Sequence, residues 1–334
     1  MIVSAGLFDL QVNGFAGVDF NAGSLAPADV DRALEAMLAT GVTHCLPTII
    51  TAHPHELATR FAALDAAISA SRLGPSMCPG YHLEGPFLNP GPGYHGCHPA
   101  AAMGPADPAL IERLEVSLSR PILLVTVAPE IDGGLDLVAR LARRGKLVAI
   151  GHSACDFETA RAAVAAGARL STHLGNGLPQ TLHKLANPVF AQLAEDGLTA
   201  SFIADGIHVH PQALKGLIRA KGIDRSILVT DAVSAAAASI GAHDFAGMAI
   251  ERRADGSARL AASDALAGSA LCLDQAVRNL VAWGIATPDE AIAMASTRPR
   301  DLLAPAFAAH GLTVGAGRTV WSDTLEVVEA SPDA

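Results

Sequence analysis

LVAIGHSACDFETARAAVAAGARLSTHLGN, residues 147–176, reads as a strand, a helix and a second strand. The first apolar run, Leu147 to His152, closes on Gly151-His152, and the second, Arg169 to Leu174, carries His173 next to its end. Between them Phe157 to Ala166 is alanine-rich, with Asp156 placed to cap its first turn and Gly167 to stop it. Parallel strands need a crossover of this kind, so the segment is the repeating unit of an α/β fold. Each of its strands delivers an imidazole to the same end.

The alternation continues in both directions. Further apolar runs are Leu7 to Val12, His44 to Ile50, Met77 to Glu84, Ile122 to Ala128, Thr199 to Asp205 and Ser226 to Asp231. Helical stretches separate them at Ala26 to Thr40, Pro54 to Ser71, Pro108 to Leu118, Gly134 to Arg144, Pro188 to Asp196 and Pro211 to Lys221. Eight strand–helix repeats predict an α/β fold of the (β/α)8 TIM-barrel class. After the eighth run, Ala235 to Leu260 contains Gly241, Gly247 and the turn Asp255-Gly256, and is expected to form a hairpin-like excursion at about 235–260. Leu273 to Trp283 and Pro288 to Ala295 read as helices, and Leu312 to Val328 as extended tail strands. The expected division is a barrel over 1–305 and a C-terminal tail over 306–334, with no low-complexity linker between them.

Composition narrows the function classes. The chain has 334 residues, half of them hydrophobic, yet no apolar stretch approaches the roughly 18 residues that a membrane span requires. Its N-terminus lacks the basic and apolar regions of a secretory signal, so a cytoplasmic location is expected. With 23 Lys and Arg against 33 Asp and Glu, the net charge of −10 speaks against nucleic acid or an anionic membrane as partner. Five scattered cysteines without a C-x-x-C pair speak against a disulfide framework and a thiolate metal site. No G-x-G-x-x-G follows the first strand and no phosphate-loop signature is present, which sets aside nucleotide chemistry.

The polar residues then fall in one place. Reactive groups of a parallel sheet collect beyond the carboxyl ends of its strands. Gln11 and Asn13 end the first run, Glu84 the third, His152 the fifth, His173 the sixth, Asp205 the seventh with His208 just after it, and Asp231 the eighth. Charged groups that close buried strands need a partner or a metal. Glu84, His152 and His173 form an N/O ligand set with an open position, as in a catalytic zinc site, and with no cysteine nearby Fe, Mn or Co are alternatives to Zn. Asp231 is then the candidate general base, its structural alternative being a helix N-cap or an ion pair. His208 is the candidate donor to a substrate carbonyl, its alternative a structural histidine.

The blocks HLEGPFLNP (82–90), GHS (151–153), THLGN (172–176), IADGIHV (203–209), ILVTDAVSAA (227–236) and LAGSALCLDQAVRNLV (266–281) occur in one order. Together they resemble the N-acetylglucosamine-6-phosphate deacetylases of the amidohydrolase superfamily, over residues 6–325. The resemblance implies a (β/α)8 barrel, metal-dependent hydrolysis of the N-acetyl group of an amino sugar, metal ligation at Glu84, His152 and His173, and Asp231 as base. It implies that His208 meets the acyl group, that Asn176 and the backbone of Gly177 meet the distal end of the sugar, and that the protein is a homodimer. Gln11 is a further candidate substrate contact.

Three departures qualify the resemblance. Many superfamily members carry His-x-His after the first strand to hold a second metal; here the positions read Gln11-Val12-Asn13, so one divalent ion is expected. Relatives grip the phosphate with an arginine from a neighbouring subunit, where this chain has Leu182-His183-Lys184, and Lys184 lacks arginine's bidentate fork. Relatives also begin with about fifty residues of β-structure, whereas this chain starts almost at strand one. The accessory β-sandwich should therefore be reduced or absent. The expected reaction is conversion of N-acetylglucosamine 6-phosphate to glucosamine 6-phosphate and acetate. The alternatives are an unphosphorylated or different N-acyl sugar, an N-acyl amino acid, or a catalytically silent binding protein.

Overall fold

The computed structural model describes residues 1–332. Strands Leu7–Val12, Val42–Ile50, Tyr81–Glu84, Ile122–Val127, Leu147–Ile150, Leu170–Ser171, Thr199–Phe202 and Ser226–Leu228 pair in chain order as one eight-stranded parallel sheet. The sheet curls until its first and last strands meet. That seam is joined just past the last strand, where Asp231 N donates to Gln11 O at 2.9 Å and Asn13 N to Ala232 O at 2.7 Å. The chain is a (β/α)8 barrel.

Helices between the strands form the outer ring. Pro27, Pro54, Pro108, Pro188 and Pro211 each open one, a position where the missing amide hydrogen costs nothing and the fixed φ suits the first turn. Phe157–Ala166 is capped as expected, with the Asp156 carboxylate accepting from Thr159 N at 2.8 Å. Gly134–Arg143 turns Leu137, Val138 and Leu141 to the sheet and its arginines to solvent. Thr297–Ala309, which local periodicity did not mark, is also helical and crosses the 305/306 division expected above. Pro299 sits in its first turn, where proline is tolerated, while Pro305 lies inside it.

Several strands are shorter than expected, for a common reason. The runs ending in His152, His173 and Asp231 leave the ladder before these residues, which have φ of 49°, 29° and 50°. A side chain in the left-handed region breaks the pleat, so the ladder stops at Ile150, Ser171 and Leu228. At the other end of the third strand, Gly74–Met77 is a helical turn and the ladder begins only at Tyr81, after Pro79 and Gly80.

Three smaller sheets accompany the barrel among the described residues, the least of them the antiparallel pair Gly14–Phe15 and Val18–Asp19. The excursion is larger than the expected hairpin: Gly241–Phe245, Met248–Arg252, Ser257–Leu260 and Leu266–Ser269 make a four-stranded antiparallel sheet reaching residue 269. It buries Phe245, Ile250, Ala258 and Ala267 against Ile50, Val233 and Ala235. Ser269 N donates to Asp231 O and Val233 N to Ser269 O, so this sheet hangs on the end of the eighth barrel strand. At the other extreme Ile2–Ser4, Arg318–Trp321 and Val327–Ser331 form a three-stranded antiparallel sheet that joins the two ends of the chain. The five cysteines are free, and Cys45, Cys78 and Cys155 are buried.

The barrel interior just before the strand ends is polar. His82 Nε2 lies 2.8 Å from Thr126 Oγ1, which is 2.9 Å from Thr172 Oγ1. Asp9 is fully buried and accepts from Thr230 Oγ1 at 2.5 Å. Burial pushes the Asp9 carboxyl up to about 7, against the opposing hydrogen bonds from Thr230 and the Gln11 amide. An unfolded aspartate gives up its proton near pH 4. From about pH 4 to 7 the folded chain therefore holds the extra proton, and stability falls as pH rises through that window. Thermal melts across it should show a flatter pH dependence for Asp9→Asn than for the unsubstituted protein; parallel curves would rule out this contribution.

Candidate active site

Glu84 ends its strand buried, and Gly85 follows at φ 88°, which turns the chain away sharply. Three imidazoles converge on its carboxylate. His173 Nε2 is 3.0 Å from Oε1, His152 Nε2 is 3.3 Å from Oε1, and His98 Nε2 is 3.6 Å from Oε2. The His98 and His152 rings lie 4.5 Å apart, and His173 meets His152 edge-on at 5.0 Å. Ligand atoms of Glu84, His98 and His152 all fall within 4.8 Å of one another. His173 joins this cluster through its hydrogen bond to Glu84.

These groups fit a divalent ion. His152 Nδ1 is 2.7 Å from Tyr94 O, and a backbone carbonyl can only accept, so Nδ1 carries the hydrogen and Nε2 is left with its lone pair. That Nε2 is buried with no hydrogen-bond partner, the condition a cation relieves. His98 is anchored in the same manner, its Nδ1 2.9 Å from Thr51 Oγ1. Burial and the neighbouring His152 push the His98 imidazole down to about 3, so it is neutral and able to ligate. For Glu84 burial acts upward, but the surrounding histidines, with His173 hydrogen-bonded to Oε1, outweigh it and hold the carboxyl well below its ordinary value. His98 is not among the residues that sequence patterning singles out, because it ends no strand; it lies in the loop GPGYHGCHP (91–99), whose only signal is a pair of histidines among glycines and prolines.

Asp231 faces this cluster from the barrel seam. Its Oδ1 accepts from Gln11 Nε2 at 3.1 Å and Asn13 Nδ2 at 2.7 Å, leaving Oδ2 without an amide donor. Burial, reinforced by repulsion from Glu84, raises the carboxyl above the usual range, with His173 and His208 opposing. Gln11, a candidate substrate contact from sequence, is itself buried and does not line the cavity; its amide is spent on Asp231.

His208 is set by Asp205, whose Oδ2 lies 2.6 Å from Nδ1 while Oδ1 accepts from the amides of Ile207 and His208. Nδ1 is thereby the protonated side facing the acid. The role of Asp205 was not legible in sequence, where it marked only a strand end. Hydrogen bonding to His208 overcomes burial and keeps the Asp205 carboxyl low.

A cavity of about 480 Å³ brings these residues together. Glu84, His98, His152, His173, His208 and Asp231 line it together with Asn176 and Gly177 and, from the excursion, Arg259, Asp264 and Leu266. Gly177 has φ 61°, and a Cβ there would come within 2.6 Å of His152 Nδ1, so only glycine lets this loop approach the histidine. Lys184 is exposed and outside the cavity lining.

No protein-family model matches the chain. It is 35% identical over 297 residues to the N-acetylgalactosamine-6-phosphate deacetylase of Escherichia coli O157:H7, covering 88% of this chain and 76% of the relative. It is 30% identical over 282 residues to the N-acetylglucosamine-6-phosphate deacetylase of Bacillus subtilis (strain 168), covering 84% and 69%. Among solved structures it superposes with a TM-score of 0.85 on a mutant N-acetyl-D-glucosamine-6-phosphate deacetylase from Mycobacterium smegmatis in complex with N-acetyl-D-glucosamine-6-phosphate. That match has 29% identity and covers 98% of this chain and 84% of the other. The histidine–carboxylate cluster at the mouth of the barrel and the relatives lead to one conclusion: the chain belongs to the N-acetylglucosamine-6-phosphate deacetylase family of amidohydrolases.

Proposed function

We propose that this protein hydrolyses the N-acetyl group of an amino-sugar 6-phosphate, with N-acetylglucosamine 6-phosphate as substrate and glucosamine 6-phosphate and acetate as products. One observation carries the reading: Asp231, steadied by two amides, shares a cavity with Glu84, His98, His152 and His173. Glu84, His152 and His173 are the assigned ligands of one divalent ion, with His98 a fourth neighbour; zinc is the expected metal. Such an ion supplies Lewis acidity and lowers the pKa of water toward about 7.

The chain's own groups do the rest. Asp231 Oδ2 takes the proton of the attacking water and returns it to the departing nitrogen. With Nδ1–H committed to the Asp205 carboxylate, His208 acts in its doubly protonated form, donating from Nε2 to the substrate carbonyl as charge develops on its oxygen. Asn176 and the Gly177 backbone meet the sugar. Gln11 and Asn13 are positioning residues, and their engagement with Asp231 supports a single metal site. A second substrate, the N-acetylgalactosamine isomer, is favoured by the identity with the E. coli relative; kcat/KM for the two epimers ranks them. Among the described residues no helix is long and apolar enough to cross a membrane. A cytoplasmic homodimer completes the proposal.

Asp231→Asn should keep its metal yet lose at least roughly 10³-fold in kcat; activity within tenfold would remove Asp231 from the mechanism. Because the base must be ionised, kcat should fall with decreasing pH as Asp231 takes up its proton. Metal analysis of protein purified without chelators should find one tightly held equivalent per chain, and stripping it should lower the Tm by several degrees, as loss of a native-state ligand does. Two equivalents would contradict the single-site assignment.

A further inference from the structure

A sugar phosphate needs a cation in its cavity, and Lys184, the candidate from sequence, lies outside the lining formed by its own chain. Among the described residues Arg259 is the one lysine or arginine that lines it. It stands on strand Ser257–Leu260, paired in register with Leu266, which lines the same cavity. The enlarged excursion sheet therefore contributes a charged wall as well as an apolar cluster.

The guanidinium is held and yet has capacity left. Its Nε donates to Ser257 Oγ at 3.1 Å, and Nη1 to the backbone oxygen of Asp264 at 2.5 Å. Nη2 makes no hydrogen bond to a described residue. The Asp264 carboxylate is 3.5 Å from Arg259 but 2.6 Å from Arg253, and it is 78% exposed against 21% for Arg259. Arg253 and water thus screen Asp264, whereas Arg259 is largely desolvated and orders little on binding, the setting in which a charge-assisted bond is strongest. Arginine's planar fork also matches phosphate oxygens, which a lysine point charge does not.

We propose that Arg259 is the specificity-determining residue that binds the phosphate of the substrate, a role supplied within this chain by the excursion sheet. The inference rests on the sugar-phosphate reading above. Arg259 acts on the phosphate and not on the scissile amide, so it governs KM and the preference for phosphorylated over free sugar.

The test is steady-state kinetics on N-acetylglucosamine 6-phosphate and free N-acetylglucosamine, with the metal-loaded protein and its Arg259→Gln, Arg259→Lys and Lys184→Ala variants. Arg259→Gln should lose about 10²-fold in kcat/KM on the phosphate ester, mainly through KM, as expected for a lost charge-assisted pair. On the free sugar it should stay within about threefold of the parent, Arg259→Lys should fall between, and Lys184→Ala should leave both substrates within the same margin. Equal losses on both sugars would reduce Arg259 to a support of the hairpin, and a phosphate-selective loss in Lys184→Ala would transfer the role to that residue; either outcome overturns the inference, as does an unchanged Arg259→Gln. If the parent protein hydrolyses neither sugar, the deacetylase reading fails separately. Thermal protection by glucosamine 6-phosphate but not glucosamine, abolished in Arg259→Gln, then still supports the phosphate site, and protection that survives the substitution sinks it.

Discussion

Glu84 is the group around which the rest is arranged. A carboxylate held this deep is tolerated because His98, His152 and His173 surround it, and each histidine is tied in turn to a neighbouring element: His152 to Tyr94 O, His98 to Thr51 Oγ1 and His173 through its amide to Ser201 Oγ. Bringing four such groups together has a backbone cost. His152, His173 and Asp231 all lie at positive φ, a conformation worth of order 1–3 kcal/mol of strain per residue when it is not glycine. The barrel strands beneath them are fully buried and hydrogen-bonded on both sides, which is what allows the rim to be held in this state.

Closure of the barrel and placement of Asp231 are the same event. The hydrogen bonds that join the first and last strands run between Gln11, Asn13 and residues 231–232, and the side chains of Gln11 and Asn13 land on Asp231 Oδ1. The segment that follows then pairs with Ser269, which suspends the four-stranded sheet over the cavity. The histidine–carboxylate cluster and the excursion sheet are thus linked through a few residues of backbone after Asp231.

Much of this was legible in the residues. Apolar runs closing in Glu84, His152, His173 and Asp231 marked strands and rim together, because a charge at the end of a buried strand is costly unless a metal or a polar partner meets it there. Alternation of short runs with alanine-rich stretches identified the α/β barrel. His98 and Asp205 were not legible, since one lies in a long loop and the other does its work through a neighbour three residues away. The excursion was underestimated because its third and fourth strands, Ser257–Leu260 and Leu266–Ser269, carry little β-branched content.

The order of elements and the identity of the rim residues were determined by sequence alone, since both follow from local periodicity and from which residues end a strand. Which rim groups meet was decided only by tertiary structure. Curling the sheet brings residue 11 against residue 231 and residue 84 against residue 173, separations that no local pattern encodes. The assignment of Gln11 to Asp231 in place of the cavity and the entry of Arg259 into its lining both depend on that closure and on where the excursion sheet comes to rest.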